Sequence, residues 1–111
     1  MKMDDLPGVS HGDDLFYLFK SFHIGQIKKD SDQDKWIQRF VKLWTNFAKT
    51  GNPTPASGAD SVLEGAVWKP VGSKEIDNIF NIDHGLRCTS LDAKERERMT
   101  FWDKYHTKFG V

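Results

Sequence analysis

Cysteine is almost missing from this chain of 111 residues: Cys88 is the only one, so no internal disulfide can form and any disulfide partner would lie outside the chain. Net charge is missing as well. Sixteen acidic residues balance sixteen basic ones, which removes the electrostatic case for nucleic acid or an anionic membrane surface as a partner. No apolar run approaches the roughly 20 residues that a membrane helix needs, so no membrane segment is expected. Met1-Lys2-Met3-Asp4-Asp5 opens onto no apolar stretch; no signal peptide is read here, and any would precede Met1. Histidine is sparse. His11, His23, His84 and His106 are scattered, none paired at metal-ligand spacing and with only Cys88 for sulfur, so neither a metal nor another cofactor is expected.

Aromatic residues, by contrast, are plentiful: eight Phe, four Trp and two Tyr. At this length the chain makes at most one small domain. Such an aromatic load implies either an unusually aromatic core or side chains meant to pack against something outside the chain.

The stretch that looks built for chemistry is Pro7-Gly8-Val9-Ser10-His11-Gly12-Asp13-Asp14-Leu15-Phe16-Tyr17-Leu18-Phe19. Gly8 and Gly12 let the backbone turn sharply and hold an imidazole at a loop tip. Asp13 and Asp14 suit the first turn of a helix near 13–19, where carboxylates meet the positive end of the dipole. Leu15, Leu18, Phe19 and Phe22 recur at helical spacing and would anchor that helix. Histidine titrates near neutrality, so His11 is a candidate general base. The residues alone leave a second reading open, a loop histidine that hydrogen-bonds a neighbouring backbone. Gly8-Val9-Ser10-His11-Gly12 also matches G-x-S-x-G, the nucleophile-elbow pattern, but Pro7 and the acidic Asp4-Asp5 leave no room for the buried strand that must enter such a turn. Ser10 is read as a decoy.

The strongest periodicity follows. Ser31 can cap a helix over 32–50, with Asp34 completing a capping box, Gly51 as the C-terminal stop, and Pro53 and Pro55 beyond it. Trp36, Ile37, Phe40, Val41, Leu43, Trp44, Phe47 and Ala48 fall on about 160° of its circumference, while Gln38, Arg39, Lys42, Thr45, Asn46 and Lys49 take the rest. Val67-Trp68-Lys69 before Pro70 reads as a short extended piece (67–69). Residues 76–82 alternate as a strand, with Asn78 the misfit, and His84-Gly85 turns the chain out. Ser90 can cap a last helix over 91–109, whose stripe holds Leu91, Trp102, Tyr105 and Phe109 while Phe101 points away from it. Three helices with one or two short strands cannot close a sheet of their own, so the chain reads as a piece that completes a larger fold.

These segments resemble type B carboxylesterases, a family that includes insect α-esterases and cholinesterases. Residues 8–19 resemble its catalytic-histidine segment, and Trp44-Thr45-Asn46-Phe47-Ala48-Lys49-Thr50-Gly51-Asn52-Pro53 its long helix with a Gly-Asn-Pro exit. Trp68-Lys69-Pro70, Ile79-Phe80-Asn81-Ile82 and Glu97-Arg98-Met99-Thr100-Phe101-Trp102 follow in family order, so agreement runs from about residue 7 to 109. The resemblance implies the C-terminal fragment of an α/β-hydrolase, one partial domain over 1–111, mainly helical in this part. It implies that His11 is the triad base and that Asp14 supports it from close by. Because the family's order is serine, acid, histidine, the nucleophile and the triad acid are expected upstream of Met1, and the chain alone is expected to be inactive. A small-molecule carboxylic ester is the implied substrate of the intact protein. The alternative is a non-catalytic interaction module, with a homodimer formed through the C-terminal helix.

Overall fold

The structure, a computed structural model, describes residues 9–20, 25–56, 59–71 and 78–109, without the side chains of Thr107 and Phe109. Expectations resting on Pro7, Gly8, Phe22, His23, Ile76 and the Phe109 side chain lie outside the described residues. The chain divides into two compact units, one of residues 1–55 with 61–63, the other of 56–60 with 64–111.

The first unit is built on α2, Asp32–Thr50, with the bounds its sequence predicts. Both ends carry the chemistry that sets them. Ser31 Oγ accepts from Asp34 N–H at 3.3 Å, satisfying one of the amides that a helix start leaves orphaned. Asp34 differs from a standard capping box in accepting from Asp30 N–H, at 2.9 Å, instead of from Ser31. At the other end Gly51 takes φ 72°, a left-handed conformation that glycine adopts without Cβ strain, and its N–H closes onto Phe47 O at 2.8 Å. Asn46 Nδ2 then reaches the Pro53 carbonyl at 2.9 Å, and Asn52 Oδ1 accepts from the N–H of buried Thr54 at 2.9 Å. The helix exit is thus braced by amide side chains on both sides of the turn.

Of the apolar face, Leu43 is fully buried, Phe40 is 9% exposed, and Trp36 and Ile37 are half-buried. Val41, Trp44, Phe47 and Ala48 are exposed. Arg39, expected on the polar face, is buried. Its guanidinium lies 4.7 Å from the centroid of the Trp36 ring, and Nε donates to the Val62 carbonyl at 3.3 Å, so stacking and a backbone acceptor compensate for lost water. That bond also ties in residues 61–63, where Leu63 is 1% exposed.

In the second unit β1 (Ile79–Ile82) and β2 (Leu86–Thr89) form an antiparallel hairpin, with Phe80 opposite Cys88 and Ile82 opposite Leu86. Of the strand expected over 76–82, residues 76–77 lie outside the described residues and Asn78 stands outside β1, its Nδ2 donating to the Pro70 carbonyl at 2.7 Å. Residues 67–69 form no strand. Pro70 has no N–H for a ladder, and the segment is held instead by Trp68, whose ring stacks on Phe80 at 4.5 Å and 7°. The last helix, α3, is Ala93–Phe109. Asp92 opens it in place of Ser90: Glu95 N–H donates to Asp92 Oδ1 at 2.8 Å and Asp92 N–H to Glu95 Oε2 at 3.0 Å, a reciprocal box. Within its unit α3 packs on neither strand among the described residues. Phe101, Trp102 and Tyr105 meet one another at 4.9 to 6.3 Å between ring centroids and stay 44–59% exposed.

Candidate active site

The helix expected near 13–19 is shorter than that, and the reason defines the site. Gly12 adopts φ 86°, which no helix accommodates. From Ser10 to Tyr17 the chain therefore runs through successive i to i+3 turns: Asp13 N–H to Ser10 O, Leu15 N–H to Gly12 O, Phe16 N–H to Asp13 O and Tyr17 N–H to Asp14 O, at 3.1–3.3 Å. Only Leu15–Leu18 is α-helical (α1), and Phe19 leaves it extended, at φ −130° and ψ 144°.

His11 stands exposed on the first of these turns. Its imidazole has no hydrogen-bond partner among the described residues, so the structure does not give it the neighbouring-backbone bond that a purely structural loop histidine would use. The residues beside it are fully engaged. Ser10 N–H donates to Asp13 Oδ2 at 2.6 Å, and Ser10 Oγ donates to Asp13 Oδ1 at 3.3 Å. Ser10, the decoy of the G-x-S-x-G match, thus has its hydroxyl committed to a carboxylate. Asp13 is half-buried; Asp14 is exposed, and its carboxylate makes no capping bond to α1. The two acids, interchangeable in sequence, are separated by geometry: one braces the turn and the other faces outward.

Behind the turn, three rings join α1 to α2. Tyr17 stacks on Phe40 at 4.7 Å and 15°, and Phe40 on Trp44 at 5.2 Å and 23°. Such pairs add about 0.5–1.5 kcal/mol each to the burial of their area, enough to seat a helix of one turn that could not persist alone. Beside this stack lies an open groove of about 540 Å³, lined by Phe16, Phe19, Ile27, Ile37 and Val41 among others. Phe16, Phe19 and Val41 on this face are exposed.

Among the described residues no group of His, Cys, Asp and Glu is placed to hold a metal ion, and no helix is long and apolar enough to cross a membrane. Cys88 is half-buried in β2 as a free thiol. His84 is exposed at the hairpin tip, 3.7 Å from the Asp83 carboxylate, and His106 is exposed on α3. The feature that sequence reasoning missed is the Ser10–Asp13 brace, although Ser-x-x-Asp is the spacing of a capping box and was legible.

The imidazole of His11 is thus exposed on a braced turn, ahead of a helix that an aromatic stack seats. The chain matches the carboxylesterase family over residues 2–102 and belongs to it, as the motif resemblance to a C-terminal segment of type B carboxylesterases implied. Membership implies the α/β-hydrolase fold class.

The chain is 36% identical over 110 residues to juvenile hormone esterase of Tribolium castaneum, a match covering 87% of the chain and 17% of that protein. It is 27% identical to gut esterase 1 of Caenorhabditis briggsae over 95% of the chain and 19% of that protein. Against bile salt-activated lipase of Rattus norvegicus the identity is 31%, over 86% of the chain and 15% of that protein. The chain thus spans less than a fifth of the length of these relatives. No solved structure matches it.

Proposed function

We propose that this chain is the C-terminal part of a serine carboxylesterase domain, a partial α/β-hydrolase domain over 1–111, and that His11 is the triad base by which the intact protein hydrolyses small carboxylic esters. The observation that carries the reading is the imidazole of His11, exposed and without a partner among the described residues, on a turn braced from both sides in a chain of this family. In the intact protein His11 Nε2 takes the proton of a serine supplied by sequence outside these residues. That serine attacks the ester carbonyl, and His11 then returns the proton to the departing alcohol. A carboxylate at Nδ1–H, likewise from outside, holds the tautomer. Asp14, exposed and free of a capping role, is left to support this arrangement from close by.

The open groove lined by apolar residues of α1 and α2 fits the same reading, since an exposed apolar face of that kind marks a surface suited to burial. The test has two arms. The isolated chain is expected to hydrolyse p-nitrophenyl acetate no faster than an equal concentration of free histidine. The full-length esterase containing it should lose turnover by several orders of magnitude on His11→Ala. Turnover by the isolated chain that disappears with His11→Ala would overturn the first expectation, and full activity of the His11→Ala esterase the second.

A second reading is favoured by one observation, the mutually contacting and exposed Phe101, Trp102 and Tyr105 on α3. As a homodimerisation surface it predicts a concentration-dependent dimer in sedimentation velocity that Phe101→Asp abolishes. A strict monomer at all concentrations would rule it out.

A further inference from the structure

We infer that Asp13 is the positioning residue of the catalytic turn, an inference that rests on His11 being the triad base. Asp13 holds Ser10 at two points, through Ser10 N–H at 2.6 Å and Ser10 Oγ at 3.3 Å, and its own N–H returns to the Ser10 carbonyl at 3.2 Å. Ser10 and Asp13 flank His11 and Gly12, so these three bonds close a ring in which His11 is carried on the span. Gly12 supplies the sharp part of that ring at φ 86°. With the backbone fixed on both sides, the direction of the His11 Cα–Cβ bond is fixed, and that direction sets the arc through which Nε2 can swing. The 2.6 Å bond joins an amide to a carboxylate, a charge-assisted pair of roughly twice the strength of a neutral one. Asp13 is half-buried, so water competes for its carboxylate less than it does for that of Asp14, which is exposed and does not cap α1. Asp13 never touches the reacting atoms; it acts through the placement of His11.

The experiment is steady-state kinetics on the full-length esterase containing this chain, with active sites titrated to completion by an organophosphate that traps the serine, so that misfolded enzyme is not counted. Asp13→Ala is expected to lower kcat per titrated site about 10- to 100-fold with KM within about twofold, the scale of a misplacement of about 1 Å. Asp13→Asn keeps one acceptor for Ser10 N–H and should recover most of that loss. Ser10→Ala removes only the 3.3 Å hydroxyl bond and should lose less than Asp13→Ala. A purely structural role for Asp13 predicts fewer titrated sites with kcat per site unchanged, and that result would overturn the inference. Should Asp13→Ala give no titratable enzyme, Asp13→Asn decides: a kcat per site equal to wild type overturns the inference, and a partial loss supports it. His11→Ala is run alongside. If it retains turnover, the triad reading itself falls; if it is dead while both Asp13 variants keep wild-type kcat per site, only the positioning role falls.

Discussion

Phe40→Ala is the substitution that asks how the first unit holds the histidine turn. Phe40 is 9% exposed and lies between Tyr17 of α1, at 4.7 Å, and Trp44 of α2, at 5.2 Å. Truncating a buried Phe to Ala costs about 3–5 kcal/mol in lost transfer energy and residual cavity. Two ring pairs disappear as well, at about 0.5–1.5 kcal/mol each, which places this site toward the upper end of that range. At about 0.05–0.15 kcal/mol per residue, a unit of this size holds only about 3–9 kcal/mol in total. The variant therefore forfeits most or all of the unit's stability, and α1 with it, because the ring stack is what seats that helix. Urea titrations followed by near-ultraviolet circular dichroism and Trp fluorescence read this directly. With a slope of about 1 kcal/mol per molar urea, the midpoint should fall by about 3 M or more, leaving no native baseline. Phe40→Leu keeps an apolar side chain and loses the rings, and should shift the midpoint by only about 1–2 M. A shift below about 0.5 M for Phe40→Ala would refute the reasoning, since no fully packed aromatic core residue is so cheaply removed.

Three further substitutions follow from particular bonds. Gly12→Ala forces a side chain into φ 86° at about 1–2 kcal/mol, with no added clash because Leu15 Cδ1 lies at an ordinary 3.8 Å; amide hydrogen exchange at Ser10 and Asp13 should speed up accordingly. Gly51→Ala meets nothing within 4 Å and so carries only the conformational cost of φ 72°, about 1–2 kcal/mol, and should fray the last turn of α2 by the same measurement, with Gly51→Asn less affected. Asn52→Ala removes the 2.9 Å acceptor of the buried Thr54 N–H, and should destabilise the unit by about 1–3 kcal/mol in urea while leaving the length of α2, read by far-ultraviolet circular dichroism, unchanged.

The α2 helix was legible from end to end because both of its boundaries are written in side-chain chemistry: Ser31 with Asp34 at one, Gly51 with two prolines at the other. Arg39 shows where such reading fails. A charge assigned to the polar face by angle alone is buried, because a guanidinium can stack on Trp36 and find a carbonyl, compensation that no helical wheel contains. The hairpin was half-legible. β1 has a recognisable apolar alternation, whereas β2 is four residues of mixed character whose place is set by the three-residue turn at 83–85 and by pairing with Phe80 and Ile82. Trp68 was read as part of a strand because Pro70 disfavours helix before it; what holds it is a partner ring twelve residues away.

The candidate histidine could be picked out of the sequence, whereas the bonds that hold its turn could not, and the difference is one of helix length. Ser10 with Asp13, Ser31 with Asp34 and Asp92 with Glu95 share one spacing, an oxygen-bearing side chain followed three residues later by an acid, and in each the pair is hydrogen-bonded. Before α2 and α3 the pattern opens a helix of 19 or 17 residues, and the run behind it makes the pattern meaningful. Before α1 it precedes four helical residues, and glycine stands within the pattern itself at φ 86°. A capping pattern interrupted by a left-handed residue cannot propagate a helix, so its hydrogen bonds are spent on the turn instead. His11 then stands exposed on a braced turn, where a longer helix would have laid it along a packed side, and that exposure is what the proposed triad role requires.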